Sequence, residues 1–288
     1  GEPTLLQITG PTITQPLCYG ETGAIDIGVT GGVGPYIYLW TGDLGGTAIT
    51  ITPDNTQDIS NLAPGDYTVV VTDDNGCTAT QTWTINEAPP AIVLTPTITQ
   101  PLCNNGTGSA TIGINGGVPG YTISIDGGAP VVVATNPHPI NPLSPGIHTV
   151  TVLDANGCEE EIQITINNPP AILLGVVGTD VPCHGGNNGV LVITASGGTG
   201  LLTYTVSSIT GGLPIFAGPI SSGTTVTVTG SGAAPMPAGT YTVTITDSDN
   251  GCVTEETITL GENITNPSSS ISSGGITEIT CAQDLITL

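Results

Sequence analysis

The sequence contains no lysine and no arginine among its 288 residues. An ordinary soluble domain of this size carries roughly 30 basic side chains. Their absence excludes whole classes of chemistry. There is no P-loop lysine, no Schiff-base lysine, no arginine finger and no guanidinium to grip a carboxylate or phosphate. A lysine–asparagine isopeptide staple cannot form. Trypsin-like proteases have no cleavage site, a property suited to life among extracellular proteases. With a formal net charge of −23, the chain has nothing with which to bind nucleic acid by counterion release. Aromatic residues are also scarce, at 3%. No run of apolar residues is long enough for a helix to span a membrane. An initiating methionine and a signal-peptide pattern are missing too, so the sequence reads as an internal piece of something longer.

What remains is apolar and rich in turn residues. Only 8% of residues are charged, all of them acidic, whereas 38% are hydrophobic. The apolar residues are mostly Val, Ile and Leu interleaved with Thr, the composition of strands rather than of a disordered tail. The 42 glycines and 24 prolines punctuate the chain.

Internal repetition sets the architecture. Thr12-Ile13-Thr14-Gln15-Pro16-Leu17-Cys18 recurs unchanged as Thr97 through Cys103. It returns more loosely as Thr179-Asp180-Val181-Pro182-Cys183 and as Ile279-Thr280-Cys281. A second marker follows each of the first three: Asp73-Asp74-Asn75-Gly76-Cys77, Asp154-Ala155-Asn156-Gly157-Cys158 and Asp247-Ser248-Asp249-Asn250-Gly251-Cys252. The joints match as well, Glu87-Ala88-Pro89-Pro90-Ala91-Ile92 against Asn168-Pro169-Pro170-Ala171-Ile172. The expected division is repeat one over 1–88, repeat two over 89–169, repeat three over 170–262, and the start of a fourth over 263–288.

Alternation predicts short strands, in repeat one over Leu5–Thr9, Ala24–Thr30, Tyr36–Thr41, Ala48–Thr52, Gln57–Leu62, Asp66–Asp73 and Thr78–Asn86. The sixth reads Tyr67-Thr68-Val69-Val70-Val71-Thr72, apolar on one face and threonine on the other. Ahead of it stands Leu62-Ala63-Pro64-Gly65-Asp66-Tyr67, whose spacing resembles the tyrosine corner of immunoglobulin-like sandwiches. His148 takes the tyrosine's place in repeat two, and Tyr241 keeps it in repeat three. The expected fold is all-β: tandem immunoglobulin-like β-sandwiches in an extended array, with Pro-rich joints that make it a semi-rigid rod.

The order of elements resembles a known family. A cysteine, a Gly-rich turn and an apolar strand lead to Gly31-Gly32-Val33-Gly34-Pro35-Tyr36-Ile37-Tyr38-Leu39-Trp40. Leu-x-Pro-Gly-x-Tyr and Asp-x-Asn-Gly-Cys follow. This is similar to the SprB repeat of Bacteroidota cell-surface proteins. Repeat two keeps Gly116-Gly117 and Tyr121 without the Trp, and repeat three has Leu201-Leu202 where Pro-Tyr stands. The resemblance implies a very large secreted protein, exported by the type IX system, displayed on the cell surface and devoid of enzyme activity. A structural stalk of a gliding or adhesion protein is the implied role. A self-assembling filament subunit and a carbohydrate-binding module, with polysaccharide as ligand, are the alternatives. The implied partners are other repeats or other copies of the same protein.

Candidate site residues fall into two groups. In an extracellular protein, Cys18, Cys77, Cys103, Cys158, Cys183 and Cys252 are disulfide candidates, leaving Cys281 unpaired in this segment. Two cysteines in every complete repeat favour pairing within a repeat, Cys18 with Cys77, Cys103 with Cys158 and Cys183 with Cys252. Strand topology raises an objection, because the first and last turns of such a sandwich lie at opposite ends. The alternative joins one repeat to the next, as in Cys18 with Cys158. The second group is acidic. Asp73, Asp74, Asn75 and Glu87, Asp154 and Asn156, and Asp247 and Asp249 offer oxygen ligands for calcium, the one candidate cofactor, though none is required. The simpler reading of the same loops is tight Asn-Gly hairpin turns. Trp40 with Tyr36 and Tyr38 reads either as core or as a sugar platform, and core is the simpler expectation. The carboxylate runs Glu159-Glu160-Glu161 and Glu255-Glu256 alternate along strands and read as solvated edges.

Overall fold

The computed structural model describes residues 4–44, 47–50, 57–209, 216–230, 235–262, 278–281 and 284–287; side chains are not described at 43–50 and 278–287. By backbone contact the chain divides into two compact units. One is Gly1–Ile98 with Ala110–Ile140 and Ile147–Thr165; the other is Thr99–Ser109 with Asn141–Gly146 and Ile166–Leu288. Every regular element among the described residues is a strand.

Repeat one forms β1 (Gln7–Thr14), β2 (Gly23–Thr30), β3 (Ile37–Leu44), β4 (Thr47–Thr50), β5 (Ile59–Leu62), β6 (Gly65–Thr72) and β7 (Thr78–Ile85). They make a three-stranded sheet ordered β1-β2-β5 and a four-stranded sheet ordered β4-β3-β6-β7. This is the immunoglobulin-like arrangement the alternation predicted. Residues 51–52 of the fourth predicted strand lie outside the described residues. Repeat two forms β8 (Val93–Thr99), β9 (Gly108–Asn115), β10 (Thr122–Ile125), β11 (Val131–Val132), β12 (His138–Leu143), β13 (Gly146–Leu153) and β14 (Glu159–Ile166). Its sheets run β12-β9-β8 and β11-β10-β13-β14. Repeat three forms β15 (Leu173–Thr179), β16 (Val190–Ser196), β17 (Leu202–Ser208), β18 (Phe216–Ile220), β19 (Thr224–Thr229), β20 (Gly239–Asp247) and β21 (Val253–Leu260). Its sheets run β15-β16-β19 and β18-β17-β20-β21. The chain therefore lays down the same pair of sheets three times. Near the C-terminus β22 (Glu278–Cys281) and β23 (Asp284–Thr287) pair as an antiparallel two-stranded sheet.

Period-2 burial builds each core. On β6, Tyr67, Val69 and Val71 are buried and meet Ile25 and Ile27 of β2 in one cluster with Trp40 and Ile85. On β20, Tyr241, Val243 and Ile245 meet Leu191 and Ile193 of β16 and Val206 of β17. The other face carries Thr240, Thr242, Thr244 and Thr246 on β20, and Asp66, Thr68, Val70 and Thr72 on β6. Trp40 is only 2% exposed and stacks at a tilt on Trp83, with ring centroids 5.9 Å apart. The Tyr36 hydroxyl donates to the Gly31 carbonyl, and the Tyr38 hydroxyl faces the Gln57 side chain. Trp40 is thus core, and no exposed platform includes it.

The tyrosine corners form as expected. The Tyr67 hydroxyl donates to the Ala63 carbonyl at 2.8 Å, and Tyr241 donates to the Pro237 carbonyl at 2.6 Å. In repeat two the corner residue is the buried His148, whose Nδ1 lies 2.7 Å from Asp126 Oδ2. Hydrogen bonds from the His148 ring and the Thr149 N–H hold the Asp126 carboxyl below the usual aspartate range. Glu159, Glu160 and Glu161 are exposed on β14, as solvated-edge residues should be.

Candidate functional site: a disulfide staple built from two turns

Among the described residues two disulfides have both partners placed, and neither lies within a repeat. Cys18 pairs with Cys158 and Cys103 pairs with Cys252. The first bond lies inside the first compact unit and the second inside the other. The expected pairs Cys18–Cys77, Cys103–Cys158 and Cys183–Cys252 do not form, and geometry gives the reason. In repeat one the turn bearing Cys18 follows the β1 end that pairs with the start of β2 (Thr14 opposite Ala24). The turn bearing Cys77 touches the loop beyond the far end of β2, where the Val33 N–H donates to Asp73. The eight residues of β2 separate the two by about 25 Å at strand rise. A disulfide closes only over a Cα separation below about 7 Å. Cys183 is disulfide-bonded as well. The Cys281 side chain lies outside the described residues. Cys77 is a free, exposed thiol.

The donor half of each staple is one tight turn. Cys18 accepts from the Glu21 N–H at 3.1 Å, and Cys103 accepts from the Gly106 N–H at 3.0 Å. Cys183 repeats the contact with Gly186 at 3.1 Å. The third residue of each turn takes a left-handed backbone: Gly20, Asn105 and Gly185. Gly and Asn are the residues that adopt it at low cost. Each turn is tied down in its own way. Both the Leu17 and Cys18 N–H groups donate to Glu21 Oε2. Asn168 Oδ1 accepts from Asn105 N–H and from the Asn104 amide. Glu262 accepts from Gly185 N–H and pairs with His184.

The receiving half is organised by one buried aspartate. Asp73, Asp154 and Asp247 are buried, the last completely. Asp73 Oδ1 accepts from the N–H groups of Asn75 and Cys77, and Oδ2 accepts from Val33 N–H. Asp154 does the same with Asn156, Cys158 and Val118. Asp247 accepts from Asp249, Thr199 and Gly200 N–H. One carboxylate thus fixes the cysteine turn and ties it to the preceding Gly-Gly loop.

Burial pushes the Asp73 and Asp154 carboxyls up, but the converging N–H donors outweigh it and leave both below the ordinary aspartate range. For Asp247 the Thr199 N–H is the largest influence, and its carboxyl is lowered too. The oxygens proposed for calcium are therefore spent on backbone donors at Asp73, Asp154 and Asp247. Among the described residues no group of three acidic, His or Cys side chains is placed to hold a metal. Asp74, Glu87 and Asp249 complete no such group among the described residues, and Asn75 and Asn156 bind the buried aspartates through their backbone N–H groups, as the tight-turn reading of the loops expects.

The Gly-Gly pair, unassigned by the sequence reading, is what lets this assembly close. A Cβ on Gly31, Gly116 or Gly197 would stand 1.9–2.0 Å from the carbonyl oxygen of Leu5, Ala91 or Ala171. All three glycines have positive φ. A Cβ on Gly32, Gly117 or Gly198 would stand 2.8–2.9 Å from an oxygen of the buried aspartate. The first glycine admits the joint and the second admits the carboxylate. The Tyr36 and Tyr121 hydroxyls cap the carbonyls of Gly31 and Gly116 at 2.6 Å. In repeat three the Ser222 hydroxyl faces Gly197 instead.

Where the halves meet, the contacts are duplicated. The Asn156 amide donates to the Leu17 carbonyl at 2.9 Å, and the Asn250 amide donates to the Leu102 carbonyl at 3.2 Å. Each of these leucines directly precedes the bonded turn cysteine. A cleft beside the first staple is lined by Tyr19, Pro89, Pro90, Ile92 and Glu160, and its counterpart by Asn104, Pro170, Ile172 and Thr254.

The turn cysteine and the Gly-Gly loop of each repeat lie in segments that match a known family, and the receiving aspartate turns lie outside them. The SprB repeat model matches residues 10–45, 95–130 and 176–211. This chain carries SprB repeats. No curated protein matches it. Solved structures similar to it include immunoglobulin domains 1–5 of Sidekick-1, at 16% identity over 91% of this chain, with a TM-score of 0.35. The chain spans 60% of the length of that structure. The three N-terminal domains of the outer capsid protein Hoc of bacteriophage RB49 match at 12% identity, over 91% of this chain and 100% of that one, with a TM-score of 0.33. A 1.5-MDa bacterial ice-binding adhesin matches at 16% identity, over 90% of this chain and 98% of that one, with a TM-score of 0.32. The assignment of tandem immunoglobulin-like sandwiches rests on the three sheet pairs described above.

Proposed function

We propose that these SprB repeats form a tension-bearing stalk segment of a large, secreted bacterial surface adhesin, with no catalytic role. The observation that supports the reading is the interlaced stapling. Each bond joins the first turn of one repeat to the last turn of the next, so load enters the following repeat through a covalent bond as well as through the joint. A binding module needs no such bond between neighbours; a stalk under tension does. The complete lack of trypsin sites and the disulfides both suit an extracellular setting.

Pulling the chain by its ends tests this. With both staples intact, the stretch from Cys18 to Cys252 extends by no more than the Cys103–Cys158 segment between the bonds. Reduction should lengthen the fully extended chain by at least roughly 60 nm at the reach of an extended backbone. Equal final lengths for oxidised and reduced chains would overturn the stalk reading.

A further inference from the structure

Repeat one contains the receiving half of a staple, complete and unused. The Asp73 carboxylate holds the Asn75 and Cys77 N–H groups at 3.0 and 2.8 Å, as Asp154 holds those of Asn156 and Cys158 at 2.8 and 2.9 Å. The turn closes with the same backbone pair, Asp73 N–H to the Cys77 carbonyl at 3.0 Å and Asp154 N–H to the Cys158 carbonyl at 3.0 Å. Each is tied to its Gly-Gly loop alike, Asp74 N–H to Val33 and Ala155 N–H to Val118. The two equivalent cysteines, Cys158 and Cys252, each hold a turn cysteine from the repeat before. Cys77 differs in one respect, that its thiol is free and exposed. The amide of Asn75, counterpart of the Asn156 amide that grips Leu17, makes no hydrogen bond among the described residues.

We infer that Cys77 is the acceptor of a further staple, taking the turn cysteine of another SprB repeat joined on the N-terminal side of repeat one. The partner is defined by its chemistry. It carries a tight turn headed by cysteine and preceded by Pro-Leu or by Pro, with the carbonyl before the cysteine facing the Asn75 amide. The aspartate preforms the acceptor turn, so the incoming turn meets a fixed thiol and amide rather than a loose loop. The reaction is an oxidation. The Cys77 thiol and the incoming thiol form one S–S bond, and their two electrons and two protons reduce a small-molecule disulfide, such as oxidised glutathione, to two thiols.

The test extends the full chain at its N-terminus by a second copy of residues 1–86. Tyr19→Phe and Thr80→Ser in the added copy serve as mass tags at two exposed positions. The chain is refolded in a glutathione redox pair and mapped without reduction after Glu-specific cleavage, which at Glu21 separates the turn cysteine from Cys77. The expected product joins the tagged turn peptide to the untagged Cys77 peptide and leaves the tagged Cys77 as the free thiol. On the unextended chain Cys77 reacts with a thiol reagent; on the extended chain that signal moves to the added copy. Cys77→Ser in the original copy should leave the added turn cysteine free while Cys18–Cys158 and Cys103–Cys252 still form. A tagged turn peptide bonded to its own tagged Cys77, or a free thiol at both positions in the refolded chain, would overturn the inference.

Discussion

Three buried aspartates hold the receiving turns in a chain with no lysine or arginine to neutralise them. Backbone N–H groups do the work of a counter-ion, and at Asp247 the Thr199 hydroxyl and the Asn250 amide add to them. Replacing Asp247 by Asn keeps the shape but turns an NH2 group toward N–H donors. Hydrogen bonds to a buried charged acceptor contribute about 2 kcal/mol each, so Asp247→Asn should lower the melting temperature clearly at pH 7. The pH dependence follows from the direction of the shifts. Asp73, Asp154 and Asp247 have folded-state pKa values below the unfolded ones. In acid the unfolded chain therefore binds protons first. The stability these groups contribute is present above about pH 4, the ordinary aspartate value, and is lost as pH falls through the lowered folded values. Thermal melts between pH 7 and pH 2 should show that loss in the native chain and a shallower one in Asp247→Asn. Identical melting of the two at pH 7 would remove these carboxylates from the account.

At the scale of elements, the strands were legible because period-2 alternation is written directly into segments such as Tyr241-Thr242-Val243-Thr244-Ile245. The tyrosine corners were legible because their spacing is local. Cysteine pairing was not. Parity counts cysteines but carries no information on which end of a sandwich each occupies, and the separation across β2 decided the outcome. The aspartate loops left two readings open for a related reason. Their hydrogen-bond partners Val33, Val118 and Thr199 come from another loop 36 to 48 residues earlier, which no local pattern reveals. The Gly-Gly pairs were visible as a repeated motif, but their purpose lay in distances to the joint. That purpose yields a prediction. In Gly116→Ala, the new Cβ would lie 1.9 Å from the Ala91 carbonyl oxygen at a φ of +76°. The joint must shift or the backbone must change, and the change should cost about 3 kcal/mol or more. Gly175→Ala, with open space around its Cβ and no positive φ, is the control and should melt near the native temperature. Equal melting of the two variants would show that the joint does not need the close approach.

At the scale of the whole chain, the two staples overlap in sequence. Cys18–Cys158 bridges 140 residues and Cys103–Cys252 bridges 149. Loop-closure entropy assigns each about 5 kcal/mol when considered alone, and less together because the loops share the Cys103–Cys158 stretch. The topology has a second consequence. Every peptide bond between Cys18 and Cys252 is bypassed by at least one disulfide, so a single cut anywhere in that stretch leaves the two pieces joined. An array stapled this way resists severing by proteases that no trypsin-site deletion would deter. Limited Glu-specific digestion offers the check, because Glu87, Glu159, Glu160, Glu161 and Glu21 all fall inside the bridged stretch. On a non-reducing gel, singly nicked chains should migrate near the intact mass; with reductant the same sample should fall into fragments. Removing one staple with Cys18→Ser should open the stretch before Cys103. A nick at Glu87 would then separate the N-terminal piece in denaturant without reductant, while nicks between Cys103 and Cys252 remain bridged. If nicked native chains fall apart in denaturant without reductant, the overlapping staples do not carry the continuity of the array.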